Sequence, residues 1–291
     1  LLGDVYMRIG DLSKSKSELE KALSIAKGVG DKAMMAEIYR EMCFLYYRMA
    51  DYENSIKFGE IGVKLGDEIG DELESAKAKV RIYSSYARLG KIEEAMKKLE
   101  ESIPVLEKYG ALEYLTRAYN GMGVLYSDIQ DWSRAIMYYK KSLDVANAAK
   151  IKYAQGAISV NLAECYINTG EYKKALETLD SAREIVESVG DKTFMHYCYR
   201  NYGILYTKTK NFEKARESLE RALKIAEEMG AHHQVAEAHY FIAEMYMAMG
   251  DKNKAREEAK RAKRIFESID AKRRVEESEK LLAEIDGESR R

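Results

Sequence analysis

A tyrosine returns every forty residues along the chain, at Tyr6, Tyr46, Tyr86, Tyr126, Tyr166, Tyr206 and Tyr246, with no insertion or deletion between them. A second register runs in step, Ser15, Ser55, Ala95, Ala135, Ala175, Ala215 and Ala255, and a third places glycine at Gly30, Gly70, Gly110, Gly190 and Gly230. Self-similarity at a period of roughly 20–50 residues marks a solenoid, in which each unit buries its apolar face only by stacking on its neighbours. The chain is therefore expected to be an array whose function lies on a surface and not in a catalytic pocket. Its 291 residues would suggest about two domains by length alone. The unbroken period argues instead for one elongated body without a linker.

Between Asp31 and Gly70 the apolar residues Ile38, Met42, Leu45, Tyr46 and Met49 fall at three- and four-residue steps, the spacing of one helical face. This predicts a first helix, A. It breaks at Ala50-Asp51, where other repeats carry Gly10-Asp11, Gly90-Lys91, Gly170-Glu171 and Gly250-Asp251, because glycine tolerates the left-handed conformation of a helix C-cap. A second helix, B, follows from about Tyr52 to Ile69 and ends at Gly70. The short turn implies antiparallel packing, with the small residues of the Ser15 register allowing close approach and the tyrosine filling the space beside them. Tyr52, Trp132, Tyr172 and Phe212 share one register just after the turn and are expected in the core.

Composition excludes several classes. A net charge of -1 carries no bias toward nucleic acid or membrane. No apolar run of 18 residues and no signal-peptide pattern occur, so a cytoplasmic protein is expected. Cys43, Cys165 and Cys198 form no CxxC pair and are odd in number, against a disulfide framework or zinc site. Three glutamines beside abundant Glu and Lys match proteins built on surface ion-pair networks, which suggests a thermophilic source. Chemistry motifs are missing too: there is no GxxxxGK[ST], HExxH, GxSxG or GxGxxG. His232 and His239 share a helical face as a metal pair would, but no acid or cysteine at ligand spacing accompanies them. No catalytic residue, metal or cofactor is expected. Between Lys252 and Arg264 seven basic residues face two acids. That run is read as a solvated face, with an anionic-surface or nucleic-acid site as the alternative.

The unit resembles the tetratricopeptide repeat, whose W-x2-L-G-x2-Y and A-x3-F spacing is matched by Met122-Gly123, Tyr126, Ala135 and Tyr139, and by Tyr202-Gly203, Tyr206, Ala215 and Leu219. It departs from that pattern in a period of forty instead of thirty-four, and in a Gly190-Asp191 type of junction where the family has a proline. Long variants of this kind are similar to the repeats of the maltose-regulon activator and related STAND signal-transduction ATPases, of bacterial peptide-pheromone receptors, and of the LGN and kinesin light-chain scaffolds. The resemblance implies an all-α fold, a right-handed superhelix (α-solenoid) of about seven helix-turn-helix repeats. Residues 1–270 would form the array, its first repeat incomplete, and 271–291 a C-terminal capping helix and tail. Leu2-Gly3 and Tyr6 read as the second half of a helix A, so further sequence is expected before Leu1.

The resemblance also implies that helix A lines a concave groove and that the 37, 40 and 41 registers point into it. These read Glu37, Arg40 and Glu41; Lys77 and Arg81; Arg117 and Asn120; Asn161; Tyr197, Arg200 and Asn201; Tyr240 and Phe241. Arginine offers fork-shaped donors to carboxylate or phosphate, and asparagine can grip a backbone amide by donor and acceptor together. The competing reading is that the long charged side chains pair among themselves. On the first reading the chain is a sensor domain of a larger signalling protein of the STAND type. It would bind a small-molecule inducer or a peptide in the groove, with upstream domains of the same protein as its other partner and no direct contact with nucleic acid or membrane. The alternative is a stand-alone scaffold that docks a peptide or helix of a partner protein, with Tyr197, Tyr240 and Phe241 as anchor.

Overall fold

One residue at every twentieth position, from Gly10 to Asp270, adopts a left-handed backbone conformation, and each of these positions ends a helix. The computed structural model describes residues 3, 6, 7 and 10–287. Leu2 and the tail beyond Gly287 lie outside the described residues.

The described residues form fourteen long helices and no strand. In the first compact unit, Leu1–Ile151, they are α1 (Leu12–Val29), α2 (Lys32–Arg48), α3 (Tyr52–Ile69), α4 (Glu72–Arg88), α5 (Ile92–Lys108), α6 (Leu112–Asp128) and α7 (Trp132–Ala148). In the second, Lys152–Arg291, they are α8 (Lys152–Asn168), α9 (Tyr172–Val189), α10 (Lys192–Lys208), α11 (Phe212–Glu228), α12 (His232–Met249), α13 (Lys252–Ser268) and α14 (Lys272–Asp286). Even numbers are A helices and odd numbers are B helices.

The ends of the helices explain the regularity. Nine of the left-handed junctions before α14 are glycine, while Ala50, Gln130, Lys150, Lys210 and Asp270 adopt the same conformation with φ of 53 to 60°. The next residue starts the following helix. Asp11, Asp31, Asp51, Asp71, Asp131, Asp191, Asn211 and Asp251 each accept a hydrogen bond from the backbone N–H three residues on, the geometry that satisfies an otherwise orphaned helix-start donor.

Packing between A and B rests on complementary sizes. The seven small residues of the Ser15 register are all fully buried. Alongside them, a Cβ added to Gly203 would lie 2.4 Å from Leu219 Cγ, and one added to Gly123 would lie 2.6 Å from Tyr139. In the repeat of Cys43 the sizes are exchanged: the partner position is Gly59, where a Cβ would meet Cys43 Sγ at 3.1 Å and Ile82 at 2.3 Å. The three cysteines are buried. Burial pushes the thiol of Cys43 up to about 11 and that of Cys198 up to about 12, so both are inert packing groups. The expectation for the register after the turn needs correction. Tyr52, Trp132 and Phe212 are only half-buried and Tyr172 is 36% exposed, because the first turn of helix B lies at the edge of the stack.

Within each unit, consecutive A helices touch: α2 with α4, α4 with α6, α8 with α10, α10 with α12, and α12 with α14. Consecutive B helices make no comparable contact among the described residues. Each stack is thus tighter on its A side, and the A-helix faces turned away from the B layer form its inner surface. Four of the seven basic residues on α13 are paired, Lys254 with Asp251, Arg256 with Asp286, Arg261 with Glu257 and Glu258, and Lys263 with Glu267 and Glu279. Among the described residues no helix is long and apolar enough to cross a membrane.

Two substitutions test this account. Ala50→Gly relieves a left-handed alanine and should raise stability by about 1 kcal/mol, read as a higher urea midpoint at unchanged m-value. Gly203→Val places branched carbon against Leu219 and should lower stability by about 1–3 kcal/mol, with helix content by circular dichroism retained below the transition.

Candidate functional site

Helix periodicity sets which side chains reach the inner surface. On α2, α4 and α6 the positions one turn apart bring Arg40, Phe44, Glu74, Lys77, Arg81, Tyr114 and Arg117 into one polar and aromatic field. Arg40 is held on three sides: Nε donates to Glu74 at 2.5 Å, and Nη1 donates to Glu41 and, at 2.7 Å, to Tyr114 Oη. Its side chain is 11% exposed and that of Glu74 only 5%. Burial disfavours the Arg40 charge, but Tyr114, Glu41 and Glu74 outweigh it, so the guanidinium is held more firmly protonated than usual. Lys77 lies 3.6 Å from Glu74. Arg40 is thus a clamp between helices, and Lys77 shares its acid.

Arg81 differs. Its guanidinium lies 4.3 Å from the centre of the Phe44 ring and 5.7 Å from that of Tyr114. It has no ion pair among the described residues, and its Nε is shielded from solvent without an acceptor. Arg117 is half-exposed and pairs with Glu113 at 3.1 Å. The side-chain oxygen of Asn120 is likewise shielded and without a donor.

In the second unit Arg200 is 7% exposed. It donates to Glu164 at 2.6 Å and to Asn201 Oδ1 at 3.0 and 3.2 Å, and its guanidinium lies 4.8 Å from the Tyr197 ring and 5.7 Å from that of Phe241. Asn201 is wholly buried and its amide also donates to Val160 O at 3.1 Å. Arg200 and Asn201, both expected as ligand contacts, are thus engaged with groups of the same stack. Asn161 is half-buried, and its amide makes no hydrogen bond within the described residues. Tyr197, Tyr240 and Phe241 are half-buried, with Tyr240 set edge-on to Phe241 at 5.4 Å. Phe241 opens on a cleft of about 160 Å³ shared with Ile204, Lys208, Glu244 and Met247.

A second acid anchors this unit. Glu237, 4% exposed, is paired with Arg274 and lies 3.7 Å from both Arg200 and His233. Burial, the largest single influence, pushes its carboxyl up, but His233, Arg200 and Arg274 together outweigh it and hold it at about 2. The histidines otherwise serve packing: His196 accepts burial as a neutral ring, its Nδ1 bonded to Ala222 O at 2.9 Å, and His239 meets Glu258 at 2.6 Å. No group of three potential metal ligands occurs among the described residues.

Size does not single out the site. A larger cleft of about 270 Å³ lies among α9, α10 and α11. There Tyr202 donates to Asp180 at 2.6 Å, Tyr199 donates to Glu187 at 2.5 Å, and Arg221 lies over Tyr199. Its two buried tyrosines already have carboxylate partners, whereas Arg81 Nε has no acceptor. Sequence reasoning missed Phe44, Glu74, Tyr114 and Glu237. Extending the inward stripe by one turn in each direction, to the 34 and 44 registers, would have found the first three.

A stack of two-helix repeats with a polar, aromatic-rimmed inner surface defines a helical-repeat binding protein. Tetratricopeptide-repeat models match residues 155–228 and 197–268, and 1–28 and 116–148. These matches take in more than half of the residues, and the chain belongs to the tetratricopeptide-repeat family. The 43 kDa receptor-associated protein of the synapse from Tetronarce californica is 24% identical over 213 residues, which are 70% of this chain and 50% of that protein. The chain thus spans about half of that relative's length. Among solved structures, the apo form of RapI superposes with a TM-score of 0.75 at 15% identity, over 94% of this chain and 96% of that one. The Rap conjugation gene regulator of plasmid pLS20 in complex with the Phr* peptide gives 0.68 at 16%, over 92% and 73%. A STAND protein with a tetratricopeptide repeat sensor from Pyrococcus horikoshii gives 0.64 at 20%, over 98% and 49%. At these identities the likeness to solved structures speaks to the fold.

The ion cluster yields a prediction. Because the folded carboxyl of Glu237 is depressed, its stabilisation is present above the unfolded value near 4.5 and is lost as pH falls toward 2. The shift corresponds to about 3 kcal/mol. Glu237→Gln should lower stability at pH 7 by about 3 kcal/mol by removing the charge that Arg274, Arg200 and His233 surround, and should flatten the pH dependence of unfolding between 4.5 and 2 by about one proton.

Proposed function

We propose that the chain is the ligand-sensing domain of a larger signalling protein and that it binds an extended peptide along the inner faces of its A helices. The observation that carries this reading is the pair of unsatisfied polar groups on those faces, Arg81 Nε and Asn120 Oδ1 in the first unit, with the half-buried Asn161 on the corresponding face of the second. A peptide backbone presents a donor and an acceptor at every residue, which is the complement such groups lack, and the half-buried rings of Tyr197, Tyr240 and Phe241 offer stacking surface for its side chains. A fold relative solved with a peptide and another described as a STAND sensor support the choice. On this reading the chain is a binding module and not an enzyme. Small rotations between stacked helices, which add along an array, would pass the event on.

A scaffold that docks a segment of a partner protein is the second reading, favoured by the receptor-associated relative. It uses the same faces. The two are separated by whether binding of the selected peptide alters the rest of the parent protein.

Panning a random peptide library on the immobilised protein tests the binding claim. Wild type should enrich one family of sequences, and Asn161→Ala should weaken the selected peptide about tenfold, the loss of roughly one hydrogen bond, with an unchanged melting curve. Should the wild-type protein enrich no sequence, the peptide reading is withdrawn.

A further inference from the structure

Three repeats carry two tyrosines seven residues apart on helix A, Tyr39 and Tyr46, Tyr119 and Tyr126, and Tyr199 and Tyr206. In the first two, the following B helix covers the pair with a ring of its own. Between ring centres, Phe58 lies 6.0 Å from Tyr39 and 4.9 Å from Tyr46, and Tyr138 lies 6.2 Å from Tyr119 and 5.4 Å from Tyr126. Counting on by the period, the third ring belongs at the position of Ser218. The intervening and final repeats have Lys79, Ser159 and His239 in place of the first tyrosine, and Lys98, Thr178 and Glu258 in place of the covering ring. Tyrosine pair and covering ring therefore occur together except at Ser218.

The missing ring leaves a space. The cleft of about 270 Å³ among α9, α10 and α11 is lined by Tyr199, Tyr202, Tyr206 and Ser218, and the Ser218 hydroxyl turns back to donate to Lys214 O at 2.7 Å. Its volume is just below the roughly 300–1,000 Å³ of sites for drug-sized ligands, which suits one ring with a short substituent. One wall has changed as well. Arg183 stands in a register that is aliphatic at Leu23, Val63, Ile103, Leu143 and Leu223. Its guanidinium lies 5.8 Å from the centre of the Tyr202 ring and forms no ion pair among the described residues. Arg221 lies 4.5 Å from the centre of the Tyr199 ring and reaches Glu187 only at 3.9 Å. Of the two acids at the cleft, Asp180 already accepts from Tyr202 and Glu217 is exposed to solvent. Tyrosine rings offer a stacking surface to an entering ring, and the two guanidinium forks offer donors to an anion attached to it.

We propose that this cleft is a binding site for a small monocyclic aromatic acid. The ligand's ring takes the place that Phe58 and Tyr138 fill in their own repeats, and its carboxylate or phosphate meets Arg183 and Arg221. A free small molecule fits better than a chain with rings at the repeat spacing, because the tyrosine pair is not continued in either flanking repeat, which carry Ser159 and His239. The site shares no residue with the inner faces of the A helices, so this claim and the peptide reading stand or fall separately.

Saturation-transfer NMR on the whole protein tests the site, with phenylacetate and phenyl phosphate as probes, phenylacetamide as the uncharged control and cyclohexylacetate as the non-aromatic one. At least one anionic probe should bind saturably and about tenfold more tightly than either control, and the tighter of the two probes identifies the anionic group. Ser218→Tyr, which restores the ring that Tyr138 supplies in its repeat, should abolish binding and keep or raise the melting temperature, with Ser218→Phe as the second variant should the first not fold. Arg183→Leu, which restores the aliphatic residue, should narrow the gap between phenylacetate and phenylacetamide. The proposal is overturned by absence of saturable binding of both anionic probes, by cyclohexylacetate binding as tightly as phenylacetate, by undiminished binding in a folded ring-restoring variant, or by an unchanged gap in Arg183→Leu.

Discussion

The contact between helices A and B, in which one side chain fills the space left by its partner, underlies everything else in this molecule. Leu219 fits because Gly203 has no side chain, Tyr139 fits because of Gly123, and Cys43 fits because of Gly59. Close packing of this kind tolerates little added volume, so the A and B helices of each repeat keep a fixed spacing. The left-handed residue at every twentieth position sets where each helix stops. Together they make each repeat a rigid brick, and contact between neighbouring A helices makes the A side the tight side of each stack.

That geometry has an electrostatic consequence. Three A helices placed side by side bring long charged side chains from successive repeats within reach, and most of them pair. Glu74 and Glu237 are the pivots, each nearly buried and each facing more than one cation. A buried acid of this kind would be costly alone and is tolerated because it is surrounded by positive charge. The same crowding leaves Arg81 without an acid, since the positions around it carry Phe44, Tyr114, Ser84 and Arg117. Structural clamps and candidate recognition groups therefore occupy the same surface, and they differ in whether their hydrogen-bonding capacity is already used.

Much of the fold was legible in the sequence because it repeats. The tyrosine and small-residue registers marked helix A and helix B, and the boundaries expected for Tyr52 to Ile69 are those observed. Junctions at Ala50, Gln130, Lys150, Lys210 and Asp270 carried no glycine signal, since the stack imposes the left-handed conformation on whatever residue stands there. The inner surface was legible only in part. Register located the face on which Arg40, Arg81, Asn161 and Arg200 lie, but a register cannot tell a paired arginine from a free one. That distinction depends on which acid the neighbouring repeat presents, as with Glu74 beside Arg40 and Glu164 beside Arg200, and on aromatic partners such as Tyr114 one turn outside the expected stripe. Asn201 shows the same limit: its register is that of Asn161, yet its amide is consumed by Arg200 and Val160 O.

The central claim is that peptide recognition uses the inner faces of the A helices and leaves the clefts between A and B helices untouched. Hydroxyl-radical footprinting, with and without a peptide selected for binding, tests it most directly, because tyrosine and phenylalanine report on both surfaces. The account predicts protection at Phe44, Tyr47 and Tyr114 or at Tyr197, Tyr240 and Phe241, with Tyr199, Tyr202 and Tyr206 unchanged. Protection confined to Tyr199, Tyr202 and Tyr206 would contradict it and move the site to the cleft among α9, α10 and α11.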